Sequence, residues 1–258
     1  MNKKNIIFLI NITHDKKFQG GGNTMHGVFQ WSIESWKQYA SKYNAEIFVL
    51  DQPILDIEYM KPNWFKMYIL DILEANDIEY DQVLYVDYDT IVTPDAPNIF
   101  ELTDYKFCAV RNYGCMDWVN RSIENYSKYI FNGFKFPYYN YFNSGVMVFN
   151  KKHKPLFKEI QNFYNDTRSD LIQMQDRFCV GNDQPVFNFF VNKNIPLDYK
   201  ILGYEWNMQD MMRFEVLNEN MLHTRYGYIN HYNAGTPPSP EYWMEKTYKY
   251  LYKNDEKN

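Results

Sequence analysis

The sequence predicts an α/β fold with a mainly parallel central sheet. Two observations carry that expectation. Three apolar, β-rich runs, KNIIFLINIT (4–13), AEIFVLD (45–51) and QVLYVD (82–87), open the chain, and two stretches of helical periodicity separate them. A strand followed by a helix and another strand crosses back over its sheet, which sets neighbouring strands parallel and covers both faces. At 258 residues the chain suits one large domain. The expected division is a domain over 1–235 and a C-terminal helical tail over 236–258, packed on the domain or extending from it.

In order along the chain, the unbroken run Ile6 to Ile10 predicts a buried strand, and the polar HDKKFQGGGN (14–23) a loop. From His26 onward Phe29, Ile33, Trp36, Ala40 and Tyr43 recur at intervals of four and three, the stripe of an amphipathic helix. After the second strand, Pro62 opens another helix marked by Phe65, Ile69, Ile72 and Leu73, and QVLYVD follows as a third strand. KFCAVRN (106–112) predicts a further strand, and the aromatic stretch from Trp118 to Tyr141 an irregular region. GVMVFN (145–150) reads as a strand, KPLFKEIQNFY (154–164) and NDQPVFNFFVN (182–192) as helices, and YINHYN (228–233) as a late strand. TPPSP (236–240) breaks regular structure before a closing helix that frays into a charged tail.

Acidic residues outnumber basic ones, 32 to 27, and no basic stripe is present, which excludes nucleic acid as a partner. Lys3 and Lys4 precede an apolar run too short for a signal-peptide core or a membrane span, so the expectation is a soluble, cytoplasmic protein. Cys108, Cys115 and Cys179 are odd in number and lack C-x-x-C spacing, which argues against a disulfide framework or a thiolate zinc site. The 24 tyrosines fit either stacking platforms or a bias toward Asn, Lys, Ile and Tyr codons, and decide nothing alone.

LYVDYDTIV (84–92) ends an apolar run in two carboxylates one residue apart. In an extended chain Asp87 and Asp89 share a face, and their mutual repulsion invites a cation. Three roles fit: ligands for a divalent cation, a nucleophile with its acid, or a solvated strand terminus. DYDT also resembles the first motif of haloacid-dehalogenase-like magnesium phosphatases, where the first Asp is the nucleophile. That family's later acidic pair has no match downstream, GNDQPVF being a partial mimic.

Three further stretches, YFNSGVMVFN (141–150), VGNDQPVFNFF (180–190) and YINHYNAG (228–235), follow VLYVDYDTIV. Together they resemble, in order and approximate spacing, the motifs of glycogenin-like, family-eight retaining glycosyltransferases over residues 5 to 235. The resemblance implies a GT-A fold, a Rossmann-like nucleotide-sugar transferase domain. It implies a Mn²⁺ site, with Mg²⁺ as the alternative ion, held by Asp87, Asp89 and His231, with Asp87 also approaching the donor ribose. A set of two carboxylates and one imidazole suits Mn²⁺ better than Ca²⁺. Asp183 and Gln184 match the pair beside the anomeric carbon, with Asn182 in place of a glycine. Read without the family, Asp183 is a helix N-cap before Pro185.

Asn143, Ser144 and Gly145 match a strand start whose polar atoms face the donor sugar. Otherwise they make a tight turn in which Gly145 supplies backbone freedom. Lys66 falls where relatives place a basic residue that reaches the donor, though a solvated helix-face lysine fits as well. Ile12 and Thr13 fall where relatives seat the base and ribose, and Gly235 matches the glycine after the late histidine. His223 reads as structural or surface. Relatives continue from that glycine region into a Lys-Pro-Trp that grips the diphosphate, whereas this chain reads HYNAGTPPSPEYW, leaving Lys66, Arg225 or Lys246 as substitutes. The expected reaction moves a hexose from a nucleotide-sugar, a UDP-sugar first, to an unidentified hydroxyl on a glycan, protein or small molecule. A phosphatase and a noncatalytic sugar-binding protein of the same fold are the alternatives.

Overall fold

A computed structural model describes residues 4–12, 30–194, 199–209, 221–233 and 238–253. Along the chain run β1 (Asn5–Ile10), α1 (Gln30–Tyr43), β2 (Glu46–Leu50), a 3-10 helix Pro62–Tyr68 leading into α2 (Ile69–Ala75), β3 (Gln82–Val86) and β4 (Thr90–Val92). They are followed by β5 (Phe107–Arg111), α3 (Met116–Tyr129), β6 (Phe142–Phe149), α4 (Lys154–Phe178), α5 (Asp183–Lys193) and β7 (Tyr199–Leu202). A 3-10 turn at Tyr204–Asn207, α6 (His223–Tyr226), β8 (Ile229–His231) and α7 (Pro240–Tyr252) follow.

Six strands form the main sheet in the order β2-β1-β3-β6-β5-β7. β1 is parallel to β2 and β3, and β5 to β7, while β6 runs against both its neighbours. The period of two sorts each strand between two cores. Ile6, Phe8 and Ile10 face one core with Val83, Tyr85, Phe107 and Phe149. Ile7 and Leu9 face the other with Leu84, Val86, Cys108 and Val148, under Trp36, Tyr39 and Ala40 of α1. The first core is covered by the Pro62–Tyr68 helix, α2, α3, α4 and α5, so helices lie on both faces as expected. Each fully buried apolar side chain of this kind contributes about 1.5–3 kcal/mol.

Several local expectations change. The helix expected from His26 is described from Gln30, and residues 26–29 lie outside the described residues. Pro62 opens a 3-10 helix before the α-helical turns begin at Ile69. The stretch from Trp118 is helical as far as Tyr129: α3 buries Val119, Ser122, Ile123 and Tyr126, a stripe masked by its serine and tyrosine, while 130–141 is turns, coil and a short 3-10 helix, irregular as expected. α4 continues 25 residues to Phe178, well past its apolar start. β4 and β7 are three and four residues long, too short for periodicity to reveal.

β4 and β8 form a separate two-stranded antiparallel sheet. Against it α7 places Trp243, Met244 and Tyr248 among Trp31, Ile91, Met208 and Tyr232. His223 is buried, its Nε2 2.9 Å from Thr247 Oγ1 and 3.3 Å from the Tyr232 hydroxyl, a structural setting. Among the described residues no helix is long and apolar enough to cross a membrane.

Candidate metal centre and donor site

The apolar run of β3 stops at Val86, and Asp87, Tyr88 and Asp89 turn the chain into β4. The two carboxylates therefore do not share a face by strand alternation, as the sequence suggests. A turn and a strand pairing bring them together instead. Asp87 N donates to Gly145 O (2.7 Å), Thr90 Oγ1 donates to Asp87 O (2.7 Å), and Trp36 Nε1 anchors Thr90 Oγ1 (3.0 Å). β4 then pairs with β8 so that Thr90 opposes His231, and Tyr232 N donates to Asp89 O at 2.9 Å. That register carries His231 to the acids.

His231 Nε2 lies 3.1 Å from Asp89 Oδ1 and 3.7 Å from Asp87 Oδ2. One ligand atom from each of Asp87, Asp89 and His231 falls within 4.8 Å of the others. The site opens to solvent at Asp87, whose side chain is 27% exposed against 2% for His231. Nε2 is buried and makes no aligned hydrogen bond. Burial lowers the imidazolium pKa, but Asp89 and then Asp87 outweigh it and hold the net value above the ordinary 6.5. Two hard carboxylates and a buried ring nitrogen, close enough to share one ion, suit a divalent cation.

A second cluster adjoins the first. Lys66 is 2% exposed, which removes the solvated-lysine reading. Its ammonium lies 2.8 Å from Asp183 Oδ2 and 3.6 Å from Asp87 Oδ1, and donates to Ser144 O and Oγ at 3.4 and 3.3 Å. Burial disfavours its charge, yet Asp183 and Asp87 more than compensate, and the lysine pKa is raised. Asp183 Oδ1 accepts from Asn63 Nδ2 (2.6 Å), and Oδ2 from Ser144 Oγ (3.1 Å). The helix cap is Asn182, which accepts from Asp183 N, so Asp183 is the first residue of α5 and its carboxylate is left for Lys66. With His231 neutral, three carboxylates (Asp87, Asp89, Asp183) and one ammonium (Lys66) sum to a formal −2, the charge a divalent cation cancels.

The β5–β6 register shifts between Ala109 and Val110, and at that irregularity Ser144 N is taken by Gln184 Oε1 at 3.0 Å. Gln184 Nε2 donates to Asn112 Oδ1 (3.3 Å). Asn143 Oδ1 accepts from Gly145 N (2.8 Å) and Asn207 Nδ2 (3.0 Å). Gly145 lies inside β6 without a positive φ, so backbone freedom is not its purpose. A Cβ there would run into the His231 ring and come 2.6 Å from Asp87 Oδ2. Ile12, just past the end of β1, packs on the first core. Thr13 and Gly235 lie outside the described residues, as does the 235/236 boundary.

The structure thus brings Lys66, Asp87, Asp89, Asn143, Ser144, Gly145, Asp183, Gln184 and His231 together. It adds residues the motifs did not announce: Asn63, Asn112, Asn207, and Tyr85, whose hydroxyl donates to Asp87 Oδ1. Tyr85 was recoverable, since it stands two residues before Asp87 at the end of the same strand. Arg225 lies on α6, and Lys246 sits over the Tyr242 and Trp243 rings of α7.

Solved structures share this architecture. One is a glycosyltransferase involved in the glycosylation of the major capsid of PBCV-1, 12% identical, with a TM-score of 0.58 over 94% of this chain and 98% of that one. Another is the glycosyltransferase GlyE of Streptococcus pneumoniae TIGR4, 14% identical in its apo form, with a TM-score of 0.51 over 95% of this chain and 60% of that one. The protein has the fold of the GT-A glycosyltransferases. No curated protein matches the chain. The glycosyl transferase family 8 profile matches residues 27–238, and the chain belongs to that family. The protein is accordingly a glycosyltransferase, and the phosphatase reading of DYDT gives way.

Proposed function

We propose that the protein is a divalent-cation-dependent retaining hexosyltransferase, using a nucleotide-sugar, a UDP-sugar first, and a hydroxyl acceptor. The observation that supports it most is the convergence of Asp87, Asp89 and His231 beside the Lys66–Asp183 pair. Asp87, Asp89 and His231 would hold Mn²⁺, or Mg²⁺ in its place. The bound cation would act as a Lewis acid on the diphosphate as the sugar–phosphate bond breaks.

The remaining roles fall to the chain's own groups. Lys66 adds fixed positive charge beside Asp87. Asp183 and Gln184 orient the sugar, with Ser144 and Gly145 closing the floor beneath them, and Ile12, just past the end of β1, together with Thr13 receives base and ribose. A double displacement would draw its nucleophile from Asp183, whose Oδ2 already faces Lys66 and Ser144. Front-face attack needs no such group, because the departing phosphate accepts the acceptor's proton, and this arrangement favours it.

A screen of nucleotide-sugars with Mn²⁺, scoring thermal stabilisation and nucleoside-diphosphate release, tests the reading. Mn²⁺-dependent release from one donor supports it. Stabilisation without release points to a binding protein, and no response to any donor overturns the donor class.

A further inference from the structure

The side-chain amides behind His231 have a direction, and one backbone N–H sets it. Gly145 N–H can only donate, so the Asn143 side-chain atom 2.8 Å from it is the oxygen. That same oxygen is 3.0 Å from the Asn207 side chain, whose atom there must donate and is therefore Nδ2. The remaining Asn207 atom, 2.9 Å from His231 Nδ1, is then its oxygen. An oxygen acceptor at that distance requires Nδ1 to carry the proton, which leaves the neutral ring with a bare Nε2. No free choice of amide orientation enters, since a reversed Asn143 would face the Gly145 N–H with its own donor.

The relay is buried and anchored. Asn207 is fully buried and Asn143 is 5% exposed. The residue following Asn207 is tied to β8 by an isolated bridge, Met208 N donating to Ile229 O (2.8 Å) and His231 N to Met208 O (2.9 Å). Asn207 thus has a fixed position relative to the ring it contacts. The bare Nε2 is the atom that faces Asp89 and Asp87.

We infer that Asn207, oriented by Asn143, is a positioning residue that fixes His231 as the Nδ1–H tautomer and so aims the Nε2 lone pair at the cation. The inference rests on the reading of His231 as a metal ligand. Groups that hold a ligating imidazole in this way typically govern 10–100-fold in metal affinity.

The test uses the full chain. Mn²⁺ alone is titrated calorimetrically into the parent and Asn207→Leu. The ring nitrogens of His231 are read by ¹⁵N NMR at alkaline pH in the metal-free protein, since a cation on Nε2 would itself impose Nδ1–H; the chain has five histidines, which keeps assignment tractable. The expected result is Nδ1–H in the parent and in Asn207→Asp, which keeps an acceptor opposite Nδ1. Asn207→Leu is expected to lose the single tautomer and to bind Mn²⁺ about 10–100-fold more weakly. An Nε2–H ring in the parent overturns the inference, as does a folded Asn207→Leu that binds Mn²⁺ like the parent. Should Asn207→Leu fail to fold, the parent and Asn207→Asp spectra decide alone. A parent with Nδ1–H that binds no Mn²⁺ supports the relay and overturns the reading of His231 as a ligand.

Discussion

Asp183 and Asp89 belong to one site and are treated in opposite ways. Asp183 is surrounded by donors from its own chain: Asn63 on one oxygen, Lys66 and Ser144 on the other. Asp89 faces another carboxylate and a ring nitrogen that makes no aligned hydrogen bond. Where the chain supplies its own positive charge, the site is closed. Where it does not, the geometry is complete only with a cation from outside. The difference separates a preformed, rigid half from a half whose character depends on solution conditions.

That contrast can be broken from either side. The largest effect is expected from Asp89→Asn, which should lower Mn²⁺-dependent nucleoside-diphosphate release on the order of 10²–10³-fold. At a pH above the raised His231 value, its melting temperature without metal should be unchanged or raised, because repulsion with Asp87 is relieved and no imidazolium is lost. Unaltered turnover would sink the metal reading. Lys66→Met attacks the closed half. It leaves Asp183 buried and unpaired and should cost about 3–5 kcal/mol in denaturant unfolding, with or without metal.

Gly145→Ala should cost about 1–3 kcal/mol by overpacking, and should weaken Mn²⁺ binding because its methyl displaces Asp87 and the His231 ring. Titrating Mn²⁺ stabilisation against pH sharpens the comparison further. The His231 pKa is raised, so in the metal-free protein an imidazolium between the acids contributes stability below pH 6.5, and that contribution fades as pH rises through the raised value. Metal binding needs the neutral ring, so thermal stabilisation by Mn²⁺ should grow in the same direction. The smallest effect belongs to Tyr85→Phe. It removes one donor from Asp87 and should weaken metal binding by about 1 kcal/mol, roughly five-fold, read by calorimetry.

Much of the fold was legible because β1, β3 and α1 are long enough for their periods to show, and α3 was not because Ser122 and Tyr126 interrupt its apolar stripe. The acids of the candidate site announce themselves as D-x-D, and His231 through the family pattern. What joins them does not: the β4–β8 pairing involves strands of three residues, and no local pattern in YEWN marks Asn207 as the group against His231 Nδ1. Gly145 was legible as a motif residue, but the steric constraint on it was not, since that comes from side chains distant in sequence. Lys66 shows the same limit. A lysine flanked by apolar residues gives no sign that two acids from elsewhere will enclose it.

The β4–β8 ladder also has a meaning for the order of synthesis. Asp87 and Asp89 leave the ribosome well before His231, and the small sheet that seats the histidine cannot form until β8 has emerged. A nascent or truncated chain ending before Ile229 carries β1, β2, β3, β5 and β6 but lacks the imidazole and the strand that bears it. The cation site therefore becomes available only to a chain whose synthesis has passed β8.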